Sequence, residues 1–178
     1  MTPFQKHRAK WGKCEECPLH EHRLNVCHLR GSIPCDVLFV GEAPGASEDV
    51  VGYPFAGPAG HKLDEIVNAA LRNQGLRTAF TNLVGCLPTD ESGSKNGEPP
   101  DESVRKCSPR LQEIIAMCKP RLIVWVGKLA AKHGRPKYQG ISSVEIVHPA
   151  AILRADESQK GLAIQRATVT LADAFEDL

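Results

Sequence analysis

Aromatic residues are scarce in this chain: two Trp, two Tyr and five Phe make up 5% of its 178 residues. An aromatic placed among loop glycines has few partners of its own kind, so it stands out as a candidate contact. Charge of one sign is also lacking. Lys and Arg number 22 against 21 Asp and Glu, a net charge of +1, so bulk charge neither argues for nor excludes a polyanionic partner. No apolar run approaches the roughly 18 residues that a membrane span requires. Nor does the start carry a secretory pattern, which makes the cytoplasm the expected compartment. Repeats, low-complexity tracts and linkers are absent. Residues 1–178 therefore read as one domain, large enough to bury a core as a monomer.

Local charge says more than the total. The first thirty residues gather Lys6, Arg8, Lys10, Lys13, Arg23 and Arg30 with four of the seven histidines. That is either a phosphate-facing edge or a solvated, partly frayed terminus. Seven cysteines without a secretory pattern point away from disulfides and towards metal ligation. Cys14 and Cys17 form a C-x-x-C pair, half of a metal site. The remaining ligands must come from Cys27, Cys35, Cys86, Cys107 and Cys118. Cys107 shares an apolar stripe with Val104, Leu111 and Ile114, so core packing is its competing reading. Cys118 ends the same stripe and reads as structural. Spacing alone does not choose between zinc and iron–sulfur.

Hydrophobic periodicity alternates between strand and helix. Asp36–Val40 is a short buried strand ended by Gly41, and Pro58–Asn73 repeats apolar residues at helical spacing. Ala79–Val84 is a second strand, followed by a long loop over Leu87–Pro100 without periodicity. Asp101 is placed to cap a helix running to about Met117. Arg121–Val126 is a third strand, Lys128–His133 a short helix, and Val144–Val147 a fourth strand. The expected fold class is α/β: a three-layer sandwich with a central four-stranded parallel sheet flanked by helices.

In such a sheet, ligands bind beyond the carboxyl ends of the strands. Glu42 follows strand one, Asn82 lies near the end of strand two, and His148 follows strand four. The turn after strand one holds five glycines, whose missing Cβ atoms and tolerance of positive φ let it close on a ligand. It also holds Glu42, Glu48, Asp49 and Phe55. A carboxylate, an amide and an imidazole beside an aromatic can recognise a flat polar heterocycle and stabilise it as it leaves.

The strings G-E-A-P-G-x-x-E-D-x-x-G-x-P-F-x-G-x-A-G at Gly41–Gly60, T-N-L-V-x-C at Thr81–Cys86 and H-P-A-x-x-L-R at His148–Arg154, with C-x-x-C at Cys14, resemble family 4 uracil-DNA glycosylases. The resemblance covers nearly the whole chain in order. It implies a DNA glycosylase that hydrolyses the N-glycosidic bond of uracil in DNA, single- or double-stranded, and so initiates base-excision repair. It also implies a 4Fe-4S cluster on Cys14, Cys17, Cys86 and Cys107. By the same resemblance Phe55 stacks on uracil, Asn82 reads its Watson–Crick edge, Glu48 excludes the thymine methyl and His148 stabilises charge on O2. Glu42 or Glu48 serves the water or the sugar. Ala43 occupies the position where better-known uracil glycosylases carry an aspartate. Ile152, Leu153 and Arg154 match the segment that wedges into the duplex. Gly85 and Leu87 replace basic residues that the family carries around the third cysteine, and the loop before Cys107 is longer and more acidic.

Overall fold

The computed structural model describes residues 1–72, 74–94 and 97–178. The expected helix end at Asn73, and Lys95 and Asn96 of the expected loop, lie outside the described residues.

Four parallel strands form the centre: β2 (Val37–Gly41), β3 (Thr78–Asn82), β4 (Leu122–Val126) and β5 (Ser142–Ile146). The β-branched and aromatic residues of β2, β3 and β4 suit a sheet buried on both faces, while β5, at the edge, is only partly buried. A fifth strand, absent from the sequence reading, is β1 (Arg30–Gly31), which pairs antiparallel to β3 and makes the order β1-β3-β2-β4-β5. Two residues carry no readable periodicity, so only the pairing reveals it. Val37 pairs with Thr78 and Leu122, and Gly41 with Asn82, which brings the strand ends level at one edge of the sheet.

Successive strand residues point to opposite faces. Val37, Phe39 and Val124 pack beneath α3 (Pro58–Leu71), α6 (Pro149–Arg154) and α7 (Glu157–Glu176). Leu38, Val40, Ile123 and Trp125 pack on the other face against α4 (Asp101–Cys118) and α5 (Lys128–Gly134). These are the three expected layers. The 20-residue α7 is missing from the sequence reading, because only Leu171 and Phe175 among its buried residues are large, the others being Ala167 and Ala172, and its other faces are polar.

The amino terminus is a docked helix rather than a frayed one. In α1 (Pro3–Trp11), Thr2 and Gln5 form a reciprocal capping box. Glu113 on α4 accepts hydrogen bonds from His7 Nδ1 at 2.9 Å, Trp11 Nε1 at 2.7 Å and the Lys10 ammonium. Of the expected basic edge, Arg30 is committed to a bidentate pair with Asp64 and Arg23 to the carbonyl of Cys14. Lys6, Arg8 and Lys13 remain exposed. Asp101 does not cap α4 either. Pro100 takes the N-cap position in extended conformation, and Asp101 and Glu102 occupy the first turn, where they favour the helix dipole.

Candidate functional site

Glu42, Ala43, Glu48, Phe55, Asn82 and His148 all line one cavity of about 550 Å³ at the carboxyl edge of the sheet, within the range of small-molecule sites. Arg154 joins them from the end of α6. Ile152 does not. It is 2% exposed and packs in the core beneath α6, so within the expected wedge Leu153, at 40% exposure, is the exposed apolar residue.

Within the Gly-rich turn lies α2 (Ala46–Val51), a helix the sequence reading treated as loop. Glu48 on this helix accepts the backbone N–H of Gly45 at 3.0 Å through one oxygen and that of Gly57 at 2.7 Å through the other. The carboxylate therefore braces the turn on both sides. Phe55 sits at the far end in left-handed conformation, φ 57°, with its ring edge-on to Phe80 at 6.0 Å. A non-glycine held at positive φ is strained and persists only where its surroundings impose it. The glycines explain how. A Cβ on Gly60 would lie 1.9 Å from the Phe55 carbonyl oxygen, and one on Gly41 would lie 2.5 Å from Asn82 Oδ1 and 2.6 Å from Phe55 Cζ. Close approach, not positive φ, is what these two positions require; positive φ applies at Gly52.

His148 is the N-cap of α6, and its Nδ1 accepts the backbone N–H of Ala150 at 3.1 Å. An accepting Nδ1 places the proton of the neutral ring on Nε2. Burial, with help from the Arg154 charge, lowers the His148 pKa and favours that neutral form. Glu42 is shifted the other way: burial and then the charge of Glu98 raise its pKa. Glu98 comes from the loop before α4, lines the same cavity, and was not singled out in the sequence. One acid in a charged loop carries no signal of where the loop folds.

The four cysteines of the expected ligand set, Cys14, Cys17, Cys86 and Cys107, surround a second cavity together with Arg23 and Arg110. Among the described residues no three His, Cys, Asp or Glu side chains are close enough to ligate one ion. Arg23 Nη1 lies 3.7 Å from Cys86 Sγ, and Arg110 Nε donates to Cys107 Sγ at 3.2 Å. Burial pushes the Cys86 thiol up to about 11. The other three cysteines stand apart. Cys27 donates to the Glu48 carbonyl at 3.2 Å, while Cys35 and Cys118 meet in the core, where Cys35 N–H donates to the Cys118 carbonyl at 2.9 Å. Arg110, buried against both the cysteine cavity and the Asn82 carbonyl, is a residue of this region that the sequence analysis did not single out. Its signal was a charged residue three positions after Cys107 on an otherwise apolar stripe.

Residues 30–172 match the family model described as the uracil DNA glycosylase superfamily. A protein of Pyrobaculum aerophilum named type-4 uracil-DNA glycosylase is 38% identical over 85% of this chain and 87% of its own length. The Thermotoga maritima protein of that name is 37% identical over 66% of this chain, which spans 58% of that relative. The solution structure of a Methanosarcina acetivorans protein assigned to the uracil DNA glycosylases superposes with a TM-score of 0.55 over 85% of this chain and 97% of its own, at 12% identity, a likeness of fold. No helix among the described residues is long and apolar enough to cross a membrane.

Proposed function

This chain belongs to the uracil DNA glycosylase superfamily, and on that premise we propose that it hydrolyses the N-glycosidic bond of uracil in DNA and so initiates base-excision repair. It is an enzyme, a hydrolase acting on uracil in DNA. The observation that carries the reading is the convergence of Glu42, Phe55, Asn82 and His148 on one cavity, with the imidazole presenting Nε2–H.

The chemistry follows from what those groups can do. Uracil leaves as an anion while the sugar becomes positive, so a donor aimed at O2 stabilises the transition state more than the ground state. His148 Nε2–H serves that purpose as a neutral donor, without transferring its proton. The Phe55 face stacks on the flipped base, and the Asn82 amide donates to O4 and accepts from N3–H. Glu48 keeps the Phe55 turn closed and fills the space beside C5, where a thymine methyl would lie. Glu42, whose carboxylate makes no hydrogen bond to the backbone of this turn, is the group placed to orient the attacking water or stabilise the sugar cation. Leu153 and Arg154 face the duplex, Leu153 replacing lost stacking and Arg154 holding a phosphate. The substrate is uracil-containing DNA, single- or double-stranded, acted on by a monomer.

Cys14, Cys17, Cys86 and Cys107, which line one cavity, are the residues that would hold a 4Fe-4S cluster. The Arg23 and Arg110 donors beside Cys86 and Cys107 suit anionic sulfur. The cluster would serve to pin the amino-terminal segment to β3 and α4.

Incubating the purified protein with a uracil-containing oligonucleotide and then cleaving abasic sites with alkali tests the function. Strand scission at uracil, and none with thymine in its place, is expected. Folded protein that yields no alkali-labile site at saturating concentration overturns the reading.

A further inference from the structure

Arg110 is 1% exposed, a degree of burial that arginine almost never accepts without partners. Its Nη2 donates to the carbonyl oxygen of Asn82 at 2.6 Å, and its Nη1 to the carbonyls of Cys27 and His28 at 3.4 Å each. Its Nε donates to Cys107 Sγ at 3.2 Å. The three oxygen partners are neutral, and the ion pairs among the described residues do not include Arg110. A guanidinium keeps its charge when buried, and a buried charge without a counter-charge is strongly unfavourable. The sulfur side of the fork is where that counter-charge can reside.

The chain makes room for this arrangement. A Cβ on Gly85 would lie 3.1 Å from Arg110 Nε, 3.4 Å from its Cδ and 2.9 Å from Val26 Cγ1. Gly85 stands between Cys86 and the end of β3, so the gap it leaves lets one side chain from α4 reach the cysteine cavity and the Asn82 backbone at once.

We propose that Arg110 is a positioning residue that couples the cysteine cavity to the uracil pocket: one guanidinium balances the negative charge of the ligated thiolates and fixes the strand end that carries the Asn82 amide. The coupling half rests on the cluster reading above; the Asn82 half does not. Arg110 touches no part of the substrate and acts only through Asn82.

The test uses Arg110→Lys and Arg110→Gln in the full chain, purified anaerobically beside the parent. Iron per chain, the reduction potential of the bound cluster, and the affinity for free uracil by calorimetry are measured on each. Arg110→Gln is expected to keep its iron, move the potential to more negative values by removal of a nearby positive charge, and bind uracil about tenfold more weakly, the loss of roughly one buried hydrogen bond. Arg110→Lys keeps the charge and loses the fork, so its potential stays near the parent value while uracil affinity falls as in the glutamine variant. A residue that only fills space would lower the melting temperature without moving the potential. If folded Arg110→Gln shows the parent potential and the parent affinity, the proposal is wrong. If Arg110→Gln does not fold, Arg110→Lys decides, and parent-like uracil affinity there overturns it. A parent protein free of iron overturns the cluster reading and the coupling with it, while uracil affinity in the same variants still judges the Asn82 half.

Discussion

His148 accepts the backbone N–H of Ala150 on its Nδ1 at 3.1 Å, so the ring that caps α6 and lines the cavity is also held in the tautomer with its proton on Nε2. Cap and donor require the same protonation state. Burial lowers the folded pKa below the ordinary 6.5, so the contribution of this bond is fully present above about 6.5 and is lost as pH falls through the lowered value. Single-turnover excision should accordingly show no histidine-dependent change between pH 7 and 8. His148→Ala should slow it by roughly a hundredfold or more, the cost of one positioned donor at about 2.7 to 4 kcal/mol, with duplex binding nearly intact. Joint loss of stability and DNA binding with an unchanged rate at saturating enzyme would reduce His148 to a helix cap.

Glu98 and Glu42 face one cavity as like charges. Since the folded pKa of Glu42 is raised, its carboxylate form is lost at a higher pH than usual, and the acid limb of the excision profile should lie at higher pH than an unshifted Glu would give. Glu98→Gln removes the second cause and leaves burial, so the limb should move to lower pH while staying above that of an unshifted Glu. The same substitution should raise the melting temperature at neutral pH, where the two charges repel. Glu42→Gln should slow excision about 10² to 10⁴-fold. An acid limb unmoved by Glu98→Gln would mean that the loop carboxylate does not act on Glu42.

Gly41→Ala places a methyl 2.5 Å from Asn82 Oδ1 and 2.6 Å from Phe55 Cζ, so both base-holding side chains must shift. Uracil inhibition should be largely lost while the protein still folds. Phe55→Ala, which deletes the stacking face alone, should weaken uracil binding by roughly 1 to 3 kcal/mol. Asn82→Asp should erode discrimination against cytosine, since a carboxylate can accept from the cytosine amino group. Gly161→Ala, exposed on α7 with nothing within 4 Å of the new methyl, serves as the control and should stabilise by about 0.5 to 1 kcal/mol. Inhibition constants and thermal melts on the four variants separate these outcomes. Parent-like uracil binding by Gly41→Ala would place the base elsewhere.

Anaerobically purified protein should be brown and hold about four irons per chain. Cys14→Ser should lose iron, because Cys14 lines the cavity. Cys27→Ser and Cys118→Ser should retain it, because Cys27 hydrogen-bonds the Glu48 carbonyl and Cys118 lies in the core beside Cys35. Stoichiometric zinc without iron, measured by elemental analysis, would exclude the cluster.

What the sequence by itself determined is what local chemistry determines. The runs Val37–Gly41 and Leu122–Val126 are strands because β-branched residues between turn signals have few other ways to bury themselves. Right-handed crossovers then bring Glu42, Asn82 and His148 to one edge of the sheet. Phe55 stood out because aromatics are few. The tertiary structure decided the rest, because those features depend on residues far apart in sequence. Glu48 became a brace only when Gly57 came within 2.7 Å. Ile152 went to the core because α6 turns that side inward. The amino terminus is ordered because Glu113, about a hundred residues away, collects its His7, Lys10 and Trp11. Arg110 is buried because β3 and the cysteine cavity close around it. Cys107 is its neighbour one helical turn back, but its carbonyl partners on Asn82, Cys27 and His28 have no sequence relation to it that pattern alone could reveal.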